Sequence, residues 1–267
     1  MNFKDKYGQT ALIAGASEGL GAAFANALAA QGLDVVLVAR RKELLEEKAS
    51  EIRKRYSVNV KAIVCDLGKP NALEVVREQL KEVEIDVLVY NAAQPFIGHF
   101  ESLDAKGHEA IAMVNMISPL AFVHFFGSRM LGRKRGAIIL MSSLAGRQGS
   151  GYISTYAATK AFNLVLAEGL WYEWRSKNVD VLACSAGVTV TPNFIDSKPG
   201  KLGFFEPQAQ LPEEVVKECF KNLGRKPSFI SGRGNRIAHF FMNNVLSRKL
   251  AVTIMGDATK KIYKIEN

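Results

Sequence analysis

A chain of 267 residues with 48% hydrophobic content has enough apolar material to bury a sizeable core, which excludes a disordered protein. Its formal charge of +9 is not laid along one helix with interleaved aromatics. The excess falls after Lys221, where Arg225, Lys226, Arg233, Arg236, Arg248, Lys249, Lys260, Lys261 and Lys264 face only Asp257 and Glu266, so the expectation is a solvated or interfacial tail and no nucleic-acid partner.

Met1 to Gln9 is charged and lacks the apolar stretch of a secretory signal, and a cytoplasmic protein is expected. Short β-rich apolar runs then alternate with longer helical patterns. The runs are Ala11 to Ala14, Val35 to Ala39, Val60 to Cys65, Val87 to Tyr90, Ala137 to Met141, Val179 to Cys184 and Phe229-Ile230. Helical patterns lie near Leu20 to Gln31, Glu43 to Tyr56, Asn71 to Glu82, Ala105 to Leu131, Thr155 to Ser176 and Glu213 to Leu223. Continuous apolar runs mark strands covered on both faces, and the β-α-β rhythm predicts an α/β fold: one doubly wound, Rossmann-type parallel sheet in a single domain.

After the first run comes Gly15-Ala16-Ser17-Glu18-Gly19-Leu20-Gly21, opening into an Ala-rich helix. Glycines there let the backbone turn sharply and approach a pyrophosphate, while helix amides receive the anion. About 20 residues further on, NAD-binding proteins of this architecture place a carboxylate on the ribose 2′-hydroxyl. This chain reads Ala39-Arg40-Arg41, so no acid repels a 2′-phosphate, a guanidinium can hold it, and NADP(H) is the expected cofactor. Both arginines could equally be solvated at a helix start or paired with Glu43 or Glu46. Asp66, followed by Leu67, can accept from an adenine amine, and Asn91-Ala92-Ala93 falls at the carboxyl edge of the sheet.

The most hydrophobic stretch, Ala110 to Phe126, is interrupted by Asn115, Pro119 and His124 and falls short of the roughly 18 to 20 apolar residues of a membrane span. Ser142 and Ser143 end the fifth strand. Beyond them Tyr156 and Lys160 stand one helical turn apart, on one face. A free phenol, with a pKa of about 10, is a poor proton donor and acceptor near neutrality, and a nearby ammonium favours its phenolate. Cys65, Cys184 and Cys219 are few and scattered, which argues for buried thiols over a disulfide framework or a metal site. Val188 to Leu211 is a long loop carrying Phe194, Ile195, Leu202, Phe204 and Phe205, a candidate lid over a substrate.

Taken together, Gly15-x-x-x-Gly19-x-Gly21, Asp66-Leu67, Asn91-Ala92-Ala93, Asn115, Ser143, Tyr156-x-x-x-Lys160 and Ala186-Gly187-x-x-x-Thr191-Pro192 resemble the short-chain dehydrogenase/reductase superfamily over roughly Thr10 to Pro192. The resemblance implies that Tyr156 is the general acid in reduction and the base in oxidation, and that Lys160 lowers its pKa and holds the nicotinamide ribose. It implies that Ser143 binds the substrate oxygen and that Asn115 positions a water linking Lys160 to solvent. Val188 would meet the nicotinamide carboxamide through its backbone, and Thr191 the amide or diphosphate. The chain departs from the family with Ala93 where a glycine is common, Ala186 where a proline is common, and Glu18 where NADP(H)-preferring members often carry a base.

The pattern is also similar to bacterial hydroxysteroid and bile-acid dehydrogenases. With Pro95-Phe96-Ile97, Leu144, Gln148 and Tyr152 near the catalytic residues, it implies a bulky lipophilic alcohol or ketone as small-molecule substrate. A homodimer or homotetramer through the two long helices is expected. The basic ending, about 231–267, either extends that contact or lies over the cleft. A non-catalytic NADP(H)-binding regulator, a lyase or epimerase, and a reductase of smaller carbonyls are the competing readings of the same residues.

Overall fold

The computed structural model describes residues 3–196 and 209–266. Strands β1 (Thr10–Ala14), β2 (Asp34–Ala39), β3 (Val60–Val64), β4 (Val87–Tyr90), β5 (Gly136–Ser143), β6 (Val179–Ala186) and β7 (Ser228–Ile230) form one sheet in the order β3-β2-β1-β4-β5-β6-β7, every pair parallel. The predicted single-domain Rossmann-type sheet is the one observed.

Alternation within each strand explains why these runs read as continuously apolar. On one face Ala11, Ile13, Val35, Leu37, Val87, Val89 and Ile139 pack against α1 (Phe3–Tyr7), α2 (Gly19–Ala30), α3 (Lys42–Arg55) and α9 (Pro212–Asn222) through Tyr7, Phe24, Leu28, Leu45, Ile52 and Val215. The opposite side chains, Leu12, Val36, Leu88, Tyr90, Ile138 and Val181, meet α4 (Ala72–Leu80), α6 (Ser118–Arg133) and α7 (Ser154–Trp174) through Val76, Leu80, Phe122, Phe126, Leu164 and Trp174. A strand buried on both faces has no polar side, so period-two alternation is absent. Cys65, Cys184 and Cys219 are free and buried, as expected.

Three elements differ from their expected form. The Ala105 to Leu131 helix is α5 (Ala105–Ala112), a π turn over Met113–Ile117, and α6, together a 29-residue rod apolar enough to cross a membrane by length and composition. One side of α6, through Phe122, Val123, Phe126 and Met130, is instead spent on the sheet. Within the Val188 to Leu211 loop lie α8 (Pro192–Asp196) and a bridge between Thr189 and Gln210, whereas Leu202, Phe204 and Phe205 lie outside the described residues.

The basic ending forms two full helices, α10 (Arg233–Asn244) and α11 (Arg248–Tyr263), the latter capped by the Ser247 hydroxyl accepting from Leu250 N–H. Helix α11 lies against the turn before Tyr156: Gln148 donates to the Ala251 carbonyl at 3.5 Å, and Val252 and Gly256 approach Gly149 and Gly151. Within one subunit, therefore, the ending packs beside the turn that precedes Tyr156.

Candidate active site

Strand order reverses between β1 and β4, which opens a crevice beyond their carboxyl ends. Gly15 leaves β1 at φ +82°, and a Cβ there would meet the Ala92 backbone at 2.8 Å. Asn91 Nδ2 donates to the Gly15 carbonyl at 3.1 Å, so β4 pins the turn that β1 begins. Gly19 has φ +55° and faces Thr191, and a Cβ on Gly21 would run into the Gly15 carbonyl, so Gly21 supports the turn from beneath. Glu18 is the N-cap of α2 but gives its side chain to no backbone amide, which leaves the first turn without a side-chain cap.

The crevice wall gathers Gly15, Ser17, Glu18, Gly19, Leu20, Arg40, Arg41, Asp66, Leu67, Asn91, Ala92, Ala93 and Thr191. Gln94 and Val114 also line it, and neither was signalled by the motifs. Val188 does not line it; its carbonyl accepts from Gln210 N–H at 3.0 Å. Arg41 pairs with Glu18, not with Glu43 or Glu46, and its Nη2 lies 3.4 Å from Ser17 Oγ. A glycine cradle that no side chain could occupy, a helix first turn without a side-chain cap and two guanidiniums fit a dinucleotide with a 2′-phosphate.

Beyond the crevice, β5 delivers two serines with opposite fates. Ser142 Oγ donates to the Lys160 carbonyl at 2.8 Å, beneath α7. Ser143 Oγ accepts from Ala145 N–H at 3.2 Å and acts on the Tyr156 phenol, which makes it the serine on the side of the reaction. Tyr156 is half-buried. Burial pushes the phenol up to about 12, against the lowering effect of the Ser143 bond, with Tyr263 of α11 adding to the rise.

Burial likewise brings Lys160 down to about 8. Its Nζ donates to the Met141 carbonyl at 2.8 Å and lies 5.6 Å from the Tyr156 ring centroid. The amine is thus held at a strand carbonyl, and burial is the largest influence on the phenol.

Asn115 lies within the π turn. Its Oδ1 accepts from Gln94 N–H at 2.8 Å, and its Nδ2 donates to the Gln94 carbonyl at 3.1 Å and Thr159 Oγ1 at 3.0 Å. Its own carbonyl accepts from Asn163 Nδ2 at 3.0 Å. The π turn thus aims Asn115 as a clasp between the β4 loop and α7.

A family model for the short chain dehydrogenase matches residues 9–201. A 7β-hydroxysteroid dehydrogenase from Clostridium sardiniense is 35% identical over 260 residues, 96% of this chain and 97% of the relative. A solved 7β-hydroxysteroid dehydrogenase structure superposes with a TM-score of 0.89 at 34% identity, covering 96% of this chain and 99% of that one. A short-chain dehydrogenase from Sphingobium yanoikuyae in complex with NADPH matches with a TM-score of 0.74 at 30% identity, over 84% and 87% of the two chains. The chain belongs to the short-chain dehydrogenase family. It is an oxidoreductase that uses a nicotinamide dinucleotide.

Proposed function

We propose that the protein interconverts a secondary alcohol and a ketone on a hydroxysteroid nucleus with NADP(H), at a ring position of the 7β type. The observation that carries this reading is Tyr156 acting with Ser143 at the carboxyl end of β5, the strand next to β4, whose own carboxyl end lines the dinucleotide crevice. Similarity to the 7β-hydroxysteroid dehydrogenases over nearly the whole of both chains supports the substrate class.

When bound, NADP(H) supplies the hydride. Gly15, Gly19, Leu20 and Thr191 would hold its diphosphate region, Asp66 the adenine, and Ser17, Arg40 and Arg41 the 2′-phosphate. This chain's own chemistry is the proton. A phenol pushed up to about 12 is protonated at neutral pH, the state in which Tyr156 can give a proton to a carbonyl oxygen as that oxygen gains charge. Ser143 orients the same oxygen by a second hydrogen bond. Lys160, one turn away, is the cation that offsets the phenolate left behind, and it holds that charge below about pH 8.

Helix α11, seated against Gln148, Gly149 and Gly151 just before Tyr156, narrows the approach from that side and favours a flat, apolar substrate over a hydrated sugar. Cytoplasmic placement, supported by three free buried thiols, belongs to the same reading. The test is reduction of a 7-oxo bile acid followed by NADPH absorbance. Tyr156→Phe should lower turnover about 10²- to 10⁴-fold while NADPH binding, measured by calorimetry, survives. Unchanged turnover in that variant would remove Tyr156 from the chemistry.

A further inference from the structure

The 2′-phosphate end of the crevice holds a residue that its proposed role does not need. Glu18 sits on the wall between the glycine turn and the tip of β2, and its carboxylate touches the Arg41 guanidinium. Oε1, the oxygen that meets Arg41, is buried. As the N-cap of α2 this carboxylate could accept from a first-turn amide, yet it does not. It is turned outward onto Arg41 instead. Arg40, the neighbouring guanidinium, makes no ion pair among the described residues.

We propose that Glu18 is a specificity-determining residue acting through Arg41: an internal anion that occupies this guanidinium and that an adenosine 2′-phosphate must displace or share. The inference rests on the NADP(H) reading above. Two anions cannot both have full use of one guanidinium fork, and they repel each other at contact range. Among the described residues, the pocket that meets a 2′-phosphate therefore offers Arg40, which makes no ion pair, and Arg41, which is already engaged. A cofactor with a plain 2′-hydroxyl makes no such demand. Glu18 thus weakens the phosphorylated ligand selectively and narrows the preference for NADP(H) over NAD(H). The effect belongs to the nucleotide end and leaves the Tyr156 chemistry untouched.

The test uses two small nucleotides that differ only in the 2′-phosphate, 2′,5′-ADP and 5′-AMP, titrated calorimetrically into the full chain. Wild type should bind 2′,5′-ADP more tightly. Glu18→Gln should tighten 2′,5′-ADP about fivefold, the fold-change expected for freeing a partly exposed ion pair, and leave 5′-AMP within about twofold. Glu18→Ala should do the same, and adding Arg41→Ala should abolish the gain. Weaker 2′,5′-ADP binding in Glu18→Gln would mean that Glu18 orients Arg41 for the phosphate, and equal tightening of both ligands would mean a general charge effect. Either result overturns the inference, as does a gain that persists without Arg41. Failure of wild type to distinguish the two ligands instead sinks the NADP(H) reading itself.

Discussion

Lys160 and Tyr156 show how burial sets the protonation of a site before any ligand arrives. A lysine brought down to about 8 binds fewer protons when folded than when unfolded between pH 8 and its ordinary value, so folding stability rises with pH across that window. Tyr156 acts in the opposite sense only above pH 10, where the unfolded phenol ionises first and the folded one does not. Lys160→Met should accordingly be more stable than wild type at pH 7, by about 3 kcal/mol from the size of the shift, and the gap should close toward pH 10. Urea denaturation at several pH values checks this; a gap constant with pH would show that the lysine is not buried as described. At Gly15, Gly15→Ala must clash with Ala92 and strain a φ of +82°, so NADPH binding should fall more than tenfold, as read by calorimetry.

Among the elements, the π turn is the one whose purpose lies in a single side chain. Asn115→Ala strips a donor pair and leaves the Gln94 N–H without its acceptor. Loss of about 2 kcal/mol in urea denaturation is expected, together with reduced turnover as α7 loosens. Helix identity was legible here from apolar content, but the extra residue per turn was not, because it depends on Gln94 and Thr159, which are distant in sequence. Strands β1 to β6 and the glycine turn were legible because burial on both faces and backbone sterics act locally. Ser143 was separable from Ser142 by its spacing to Tyr156, and the contacts of the two serines give the reason. The direction of Lys160 was not legible, since the motif fixes only that it shares a face with Tyr156. Helix α11 was legible only as part of a basic ending, and its seat against Gly149 and Gly151 is a long-range contact. Deleting 248–267 should raise KM for a bulky ketone at least tenfold yet leave NADPH affinity within about twofold, because no residue of α11 lines the dinucleotide crevice.

For the molecule as a whole, α6 and α7 carry exposed apolar side chains, Leu120, Val165 and Tyr172 among them, with Val165 and Tyr172 each more than 60% exposed. We propose that these helices pair with those of a second copy; light scattering should give a dimer or tetramer, and Val165→Glu should shift it toward monomer. The sheet's central pairing, β1 with β4, joins segments 76 residues apart, as between Ala11 and Val87, and the bond from Asn91 to Gly15 closes its upper end. A nucleotide lying across that seam touches both sides at once. It therefore acts as a rivet on the joint that is slowest to find its register, so refolding from urea should proceed faster and in higher yield when NADP⁺ is already in the buffer.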